Sequence, residues 1–464
     1  MSEHLHWDPL LIQRYNRPGP RYTSYPTAVE FLPVSNDQPE QLAYEKRDPE
    51  RPLSLYLHIP FCRHVCYYCG CNKIVTRDMA RSLPYLDLLK QEILAKRALL
   101  KPATDGQLAP VEQLHLGGGT PTFLTDEQLT DLVMFLKQHF RFSESDSADF
   151  SIEIDPRELR LGTLTLLREL GFNRVSYGVQ DLDLKVQEAV NRVQPESMVR
   201  DVMQQARTLG FRSINIDLIY GLPHQTLESF DQTLSTIIEL RPDRLSIFNY
   251  AHLPERFKPQ RRINGDDLPE ANEKLAILGH CIKRLSDAGY HYVGMDHFAL
   301  PEDELAQAQA AGKLHRNFQG YTTHGDCDLL GFGISSISQI GDYYLQNQVT
   351  EASYEAALQQ QQLPTWKQRP VTLDDKIRRT LIAELLCHLT LSFEQLDQQF
   401  GINSREYLAD SLNRLQPMQQ DELVEITHDH ISITDKGRLL VRNACMAFDT
   451  YLQHHEAQRF SKAI

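Results

Sequence analysis

Leu53-Ser-Leu-Tyr-Leu-His-Ile-Pro-Phe-Cys-Arg-His-Val-Cys-Tyr-Tyr-Cys-Gly-Cys-Asn72 runs from a β-rich stretch straight into four cysteines within ten residues: Cys62, Cys66, Cys69 and Cys71. The core spacing is C-x3-C-x2-C. Three thiolates on one short loop can hold three irons of a cubane and leave the fourth iron open, which makes a reaction centre rather than a fully ligated electron carrier. A zinc knot would need a second Cys or His pair at matching spacing, and Cys281, Cys327, Cys387 and Cys445 are scattered singly. Disulfides fit no better: the chain opens Met-Ser-Glu-His-Leu-His-Trp, without the basic-then-apolar leader of an exported protein. His64 is a further possible ligand, although a surface position is its ordinary reading. Cys71 exceeds the three-thiolate count and is either an inert small residue or a functional one.

From residue 53 to about 300, short β-rich runs alternate with amphipathic helical ones. The predicted strands are Leu53–His58, Gln113–Leu116, Phe150–Ile154, Arg174–Tyr177, Ser213–Asp217 and Arg244–Asn249. The predicted helices between them are Tyr85–Leu100, Asp126–His139, Leu161–Leu170, Val199–Leu209 and Thr226–Leu240. Such alternation means βαβ units and a parallel sheet, and the polar residues favour an incomplete six-unit (β/α) barrel over a doubly wound sheet. Residues i and i+2 of a strand share a face. Ser151-Ile-Glu-Ile-Asp155 therefore sets Glu153 and Asp155 on one face, and Ser213-Ile-Asn-Ile-Asp217 does the same with Asn215 and Asp217. Parallel strands are usually apolar on both faces, so acids there imply a polar lumen. Either they meet a ligand, or they cap loops and pair with Lys and Arg. Gln113-Leu-His-Leu-Gly-Gly-Gly-Thr-Pro-Thr122 ends a strand in three glycines, where a ligand can approach the backbone closely.

Outside this core the organisation is less regular. Arg14-Tyr-Asn-Arg-Pro-Gly-Pro-Arg-Tyr-Thr-Ser-Tyr-Pro26 has too much proline and glycine for a helix. Residues 1–50 are thus expected as a strap, either packed on the main domain or laid as a basic, aromatic flap over a site. Residues 51–365 form the barrel with an extension. Residues 366–464 read as helices, then a small hairpin (Leu423–Thr427, His430–Thr434), then a last helix starting near Thr434, which resembles a winged helix. Acids outnumber bases there, so DNA binding is not expected.

The net charge of −14 argues against a general nucleic-acid binder. No apolar run approaches the ~20 residues of a membrane helix, and the cytoplasm is the expected compartment. A hydrophobic fraction of 41% over 464 residues supports two or three domains with real cores. An anionic substrate would require positive charge to be concentrated locally.

The cysteine loop and the glycine turn after the second strand resemble those of the radical S-adenosylmethionine (SAM) enzymes. Further segments resemble the oxygen-independent coproporphyrinogen III oxidase family of that superfamily: Gly19–Pro26, Tyr56–Cys62, Cys69–Lys73, Gly117–Thr122, Gly178–Asp181, Asp217–Pro223 and Asn249–His252. The resemblance covers nearly the whole chain. It implies one [4Fe-4S] cluster on Cys62, Cys66 and Cys69, and two SAM molecules in one site. The first would meet Tyr56, Gly118, Glu153 and Ile337. The second would meet Tyr68, Gly119, Thr120, Gln180, Arg192, Asp217 and Ala251, with Tyr68 standing where the family is associated with phenylalanine. It implies oxidative decarboxylation of two propionates of coproporphyrinogen III to vinyl groups, giving protoporphyrinogen IX, by a 5′-deoxyadenosyl radical. Cys71 is then expected to be catalytic. Arg21 and Arg316 are candidates for the substrate carboxylates. A flavodoxin or ferredoxin would be the electron donor, and the chain a monomer. The rival reading is a haem chaperone with the same barrel and loop. Such chaperones usually lack a counterpart of Cys71 and the Arg21–Tyr25 strap, and carry a His-Asn-x-x-Tyr-Trp signature that His315-Arg-Asn-Phe-Gln-Gly-Tyr321 matches poorly.

Overall fold

The computed structural model describes residues 5–34 and 39–452. Six parallel strands in sequence order form the lumen wall: β1 (Leu53–Ile59), β2 (Val111–Gly118), β3 (Asp149–Ile154), β4 (Arg174–Gln180), β5 (Ser213–Tyr220) and β6 (Arg244–Asn249). The helices after them are α1 (Ser82–Ala98), α2 (Asp126–His139), α3 (Thr163–Glu169), α4 (Glu196–Thr208), α5 (Leu227–Leu240) and α6 (Ala271–Asp287). Thr125 and Thr226 start α2 and α5 with reciprocal capping hydrogen bonds. Each expected strand and helix is present, with ends differing by a few residues.

The sheet continues past both edges, reaching thirteen strands. Asp328–Phe332 joins β1 in parallel, and Ile337–Ile340, Tyr343–Asn347, Thr365–Pro370 and Leu32–Pro33 follow antiparallel. On the far edge β6 pairs antiparallel with His297–Ala299, which pairs with His291–Gly294. These additions cover edges that a partial barrel would leave open. A separate hairpin, His315–Asn317 with Gly320–Thr322, plugs the lower end of the lumen.

The alternation read from the sequence is what the strands do. Ile152, Ile154, Ile214 and Ile216 are buried in the core under the helices, whereas Glu153, Asn215 and Asp217 are half-buried. A second core joins the strap to the C-terminal helices. Tyr15, Tyr22 and Tyr25 pack there with Leu381, Leu385, Ala444 and Phe448. The strap holds a short helix, Pro9–Tyr15, ahead of its prolines. The expected winged-helix hairpin forms as Val424–Ile426 and His430–Ile433, with a third short strand, Thr390–Ser392, that sequence periodicity missed. The last helix starts later than expected, at Val441, after a turn of 3-10 helix; residues 453–464 of the expected C-terminal domain lie outside the described residues.

Candidate active site

The loop from Cys62 to Asn72 is fixed by backbone hydrogen bonds at both ends. Thr76 N donates to Cys62 O (2.9 Å), Ile74 N to Pro60 O (2.7 Å), and His58 Nε2 meets Asn72 O (2.9 Å). The glycine turn is stitched beneath it: Gly119 N donates to Ile59 O (2.9 Å) and Thr120 N to Phe61 O (2.8 Å). Two of the three glycines are sterically required. Gly118 has φ +109° and a Cβ there would lie 2.5 Å from the His58 ring; at Gly119 a Cβ would lie 2.7 Å from the Pro60 and Phe61 backbone.

Loop and turn open on a cavity of about 340 Å³. All four loop cysteines line it, as do Tyr68, Gly118, Gly119, Thr120, Glu153, Gln180, Arg192 and Asp217. Twelve of the fifteen residues anticipated from sequence and resemblance thus share one space. Tyr56, Ala251 and Ile337 do not line it. Tyr56 is one shell away, stacked on His115 (5.9 Å), which contacts Glu153 Oε1 (3.2 Å). Ala251 is exposed, and its carbonyl shares Gln260 Nε2 (3.3 Å) with the Tyr68 carbonyl (2.9 Å). Ile337 starts an added strand and packs with Phe31, Tyr344 and Val371.

The interior acids divide. Asp155 takes the structural course, capping a loop and pairing with arginine. It caps a 3-10 turn through Arg157 N (3.1 Å) and pairs with Arg157 (2.7 Å) and Arg192 (2.9 Å). Burial alone would raise its pKa, but Arg192 and Arg157 hold it down at about 2. Glu153 and Asp217 meet no lysine or arginine among the described residues. Glu153 accepts from Gly118 N (3.1 Å) and lies against His115; Asp217 accepts from Asn215 Nδ2 (2.8 Å) and Ser176 Oγ (3.2 Å). Burial, helped by the nearby Glu153 charge, lifts Asp217 to about 6 against the hydrogen bonds that lower it. Gln180 sits at a register shift with φ +69°, a strained conformation for a side chain facing a cavity.

The donor set fits a thiolate-held cluster. Arg192 Nη1 and Arg157 Nη2 donate toward Cys66 Sγ (3.4 and 3.5 Å), and Thr120 Oγ1 toward Cys62 Sγ (3.7 Å). Hydrogen bonds and cations beside sulfur are what an anionic iron–sulfur site uses to tune its potential. Among the described residues, no three His, Cys, Asp or Glu side chains stand close enough to chelate a single ion, whereas a cubane spreads its ligands over separate irons. Arg157 escaped sequence reasoning, because its tie to Cys66 crosses 91 residues; its only local signal was its place two residues after Asp155. Ser176 and Phe248, which also line the cavity, gave no signal as site residues, and Lys73 stood only at the end of a resembling segment.

Below this space the lumen continues as a second cavity of about 200 Å³, sharing Glu153, Ser176, Asp217 and Phe248. Its floor carries Arg174 with Asp149 (3.2 Å) and Arg244 with Asp303 (2.9 Å). Arg21, of the strap, is paired with Asp296 and lies 5.9 Å from the Phe248 ring, so its charge is already matched.

Residues 56–237 match the Radical SAM superfamily and residues 371–440 match the HemN C-terminal domain. The oxygen-independent coproporphyrinogen III oxidase of Pseudomonas aeruginosa is 52% identical, with 100% of both chains covered. Those of Escherichia coli and Synechocystis are 50% and 44% identical, over 100% and 98% of this chain and 99% and 97% of theirs. The solved structure of coproporphyrinogen III oxidase (HemN) from Escherichia coli, described as a radical SAM enzyme, superposes with a TM-score of 0.91 at 49% identity, covering 97% of this chain and 100% of that one. With the cysteine loop, the glycine turn and the polar lumen assembled in one cavity, the chain belongs to the oxygen-independent coproporphyrinogen III oxidase family of radical SAM enzymes.

Proposed function

We propose that this chain converts coproporphyrinogen III to protoporphyrinogen IX without oxygen, decarboxylating two propionates to vinyl groups. The observation that supports it most is the single cavity in which Cys62, Cys66 and Cys69 face Gly118, Glu153 and Asp217. When bound, a [4Fe-4S] cluster and SAM supply a carbon-centred radical able to take hydrogen from the β-carbon of a propionate. The chain's own residues hold, orient and shield. Cys62, Cys66 and Cys69 would hold three irons. Gly118 and Glu153 would receive one SAM, with Tyr56 behind Glu153 and Ile337 on the adenine side. Tyr68, Gly119, Thr120, Gln180, Arg192, Asp217 and Ala251 would receive a second. The separate hydrogen-bond sets of Glu153 and Asp217 favour two ligands over one.

Cys71 is exposed and follows the last cluster ligand by two residues; we assign it a role in turnover rather than in cluster binding. The strap (1–50), barrel with extension (51–365) and C-terminal part (366–464) are taken as three working units. A flavodoxin or ferredoxin would deliver electrons to a cytoplasmic monomer. No helix among the described residues is long and apolar enough to cross a membrane. The full-length relatives are oxidases, and nothing favours the haem-chaperone reading. The test is anaerobic incubation with coproporphyrinogen III, SAM and a one-electron reductant. The expected product mass is lower by two CO2 and their accompanying hydrogens; unchanged substrate beside an intact cluster would refute the assignment.

A further inference from the structure

At the end of the strands opposite the cysteine loop lies another cavity, of about 400 Å³. The strap (Tyr22–Tyr25), the start of β1 at Ser54, the plug hairpin and helix Leu373–His388 enclose it. Its charged lining is lopsided: Arg51, Arg316 and Arg379 face one acid, Glu384, with the His315 and His324 rings beside them. Burial raises the Glu384 pKa, which favours its neutral form. Arg51 is engaged by Asp326 O (2.5 Å) and by Asp328 (3.7 Å). The other two guanidinium groups meet no carboxylate among the described residues. Among the described residues Arg379 reaches only the Tyr344 hydroxyl, at 3.4 Å. Arg316 lies 4.7 Å from the centroid of the Tyr321 ring, and its Nε and Nη1 are buried without a hydrogen-bond partner. In a chain of net charge −14, two unmatched guanidinium groups in one cavity mark a place for an anion.

The wall between this cavity and the lumen is one side chain thick. Gln113 faces the lumen, accepts from Ser54 Oγ (2.8 Å) and donates to Thr322 Oγ1 (3.2 Å), both on the cavity side. Tyr321 faces the lumen while its cross-strand partner Arg316 faces the cavity. From Ser54 to Ile59, where β1 delivers the chain to the cysteine loop, the strand rises about 17 Å. A tetrapyrrole is of comparable length. The two propionates that the product keeps lie across the macrocycle from the two that react.

We propose that this cavity is a carboxylate-binding site in which Arg316 and Arg379 clamp the ligand, with the retained propionates of the substrate as the source that the span favours. This rests on the substrate reading given above. A free small carboxylate is the other source of the same chemistry. Guanidinium groups suit either, since they bind carboxylates bidentately.

The test uses the full chain with its cluster reconstituted anaerobically, as wild type, Arg316→Gln, Arg379→Gln and Arg316→Lys. Binding of coproporphyrin III, a stable tetracarboxylate, is followed by fluorescence beside iron content and SAM binding. Each Gln variant is expected to bind at least tenfold more weakly, with a matching rise in KM, little change in kcat, and unaltered iron and SAM; Arg316→Lys should recover part of the loss. If tetrapyrrole affinity is unchanged but citrate raises the melting temperature of the wild type and not of the Gln variants, the site stands and its ligand is a free carboxylate. Wild-type coproporphyrin affinity in both Gln variants, together with an equal citrate response in all proteins, overturns the proposal. A wild type that binds coproporphyrin III yet never decarboxylates the porphyrinogen would refute the proposed function instead, leaving the affinity comparison intact.

Discussion

Replacing Asp217 by Asn should make the ligand-free protein more stable and the SAM-bound protein less so. The Asp217 carboxyl moves from 3.8 to about 6 on folding, chiefly because burial penalises its charge. A folded value above the unfolded one means that the native state holds the proton more tightly. Stability contributed by the protonated form is therefore lost as pH rises from about 4 through 6, and the full cost of ~3 kcal/mol is present at neutral pH. The amide of the Asp217→Asn variant would keep the neighbouring hydrogen bonds, accepting from Asn215 and donating to Ser176, without the charge. At pH 7.5 the variant should melt higher by roughly 3 °C, since the unfolding entropy of so long a chain spreads each kcal/mol over about one degree. At about pH 5 roughly half of that advantage should remain, because the wild-type carboxyl is then mostly protonated when folded. Equilibrium binding of labelled SAM to anaerobic protein supplies the other half. Losing a buried hydrogen bond to a charged group costs ~1.5–3 kcal/mol, so affinity at the second site should fall about ten- to a hundredfold, with iron content unchanged. An Asn variant that is less stable at pH 7.5, or whose advantage does not change with pH, would show that Asp217 is not a strained charge. Saturation at one SAM per wild-type chain would sink the two-site reading.

Replacing Cys66 by Ser should abolish the cluster, against about four irons per reconstituted wild-type chain, because separate irons need separate soft thiolates; iron and sulfide analysis decides it. Cys71→Ser should keep full iron and SAM cleavage yet lose most product, and unchanged product formation would reduce Cys71 to a packing residue. Lys96 is buried, ion-paired to Glu92 at 2.6 Å and donates to Gly331 O at 2.6 Å. Lys96→Met would leave the buried Glu92 carboxylate without its cation, held by Gly333 N, Asn347 Nδ2 and the Tyr354 hydroxyl alone, costing about 3–5 kcal/mol, which a fall in melting temperature at neutral pH would reveal.

What the sequence could and could not announce follows from range. A strand's period of two is local, so Ser151–Asp155 and Ser213–Asp217 revealed their inward faces from five residues each. A cysteine loop is local too, and so is a capping threonine. The plug hairpin was not readable in this way. Its strands are three residues long, and what makes it a plug is Gln113 reaching Thr322 across 209 positions. Leu32–Pro33 on Thr365–Pro370 is equally remote, since two residues carry no periodicity.

Glu153 and Asp155 show the same limit at the scale of one site. They stand two residues apart, Glu153 in β3 and Asp155 just past its end, with the same charge, and the face argument treats them alike. Their fates separate through partners that come from elsewhere. Arg192 arrives on the segment after β4 and reaches both Asp155 and Cys66, while Glu153 is met by the His115 ring. Asp155 is thereby taken up in fixing two guanidinium groups beside Cys66. Glu153 keeps acceptor capacity facing the cavity, held down by His115 and Gly118 against the burial that would raise it. An acid matched by arginine builds the wall of a site, and one met by a histidine ring and a backbone amide is left able to bind. That difference is fixed by residues 37 and 38 positions away, which is why the face was readable from the strand and the function was not.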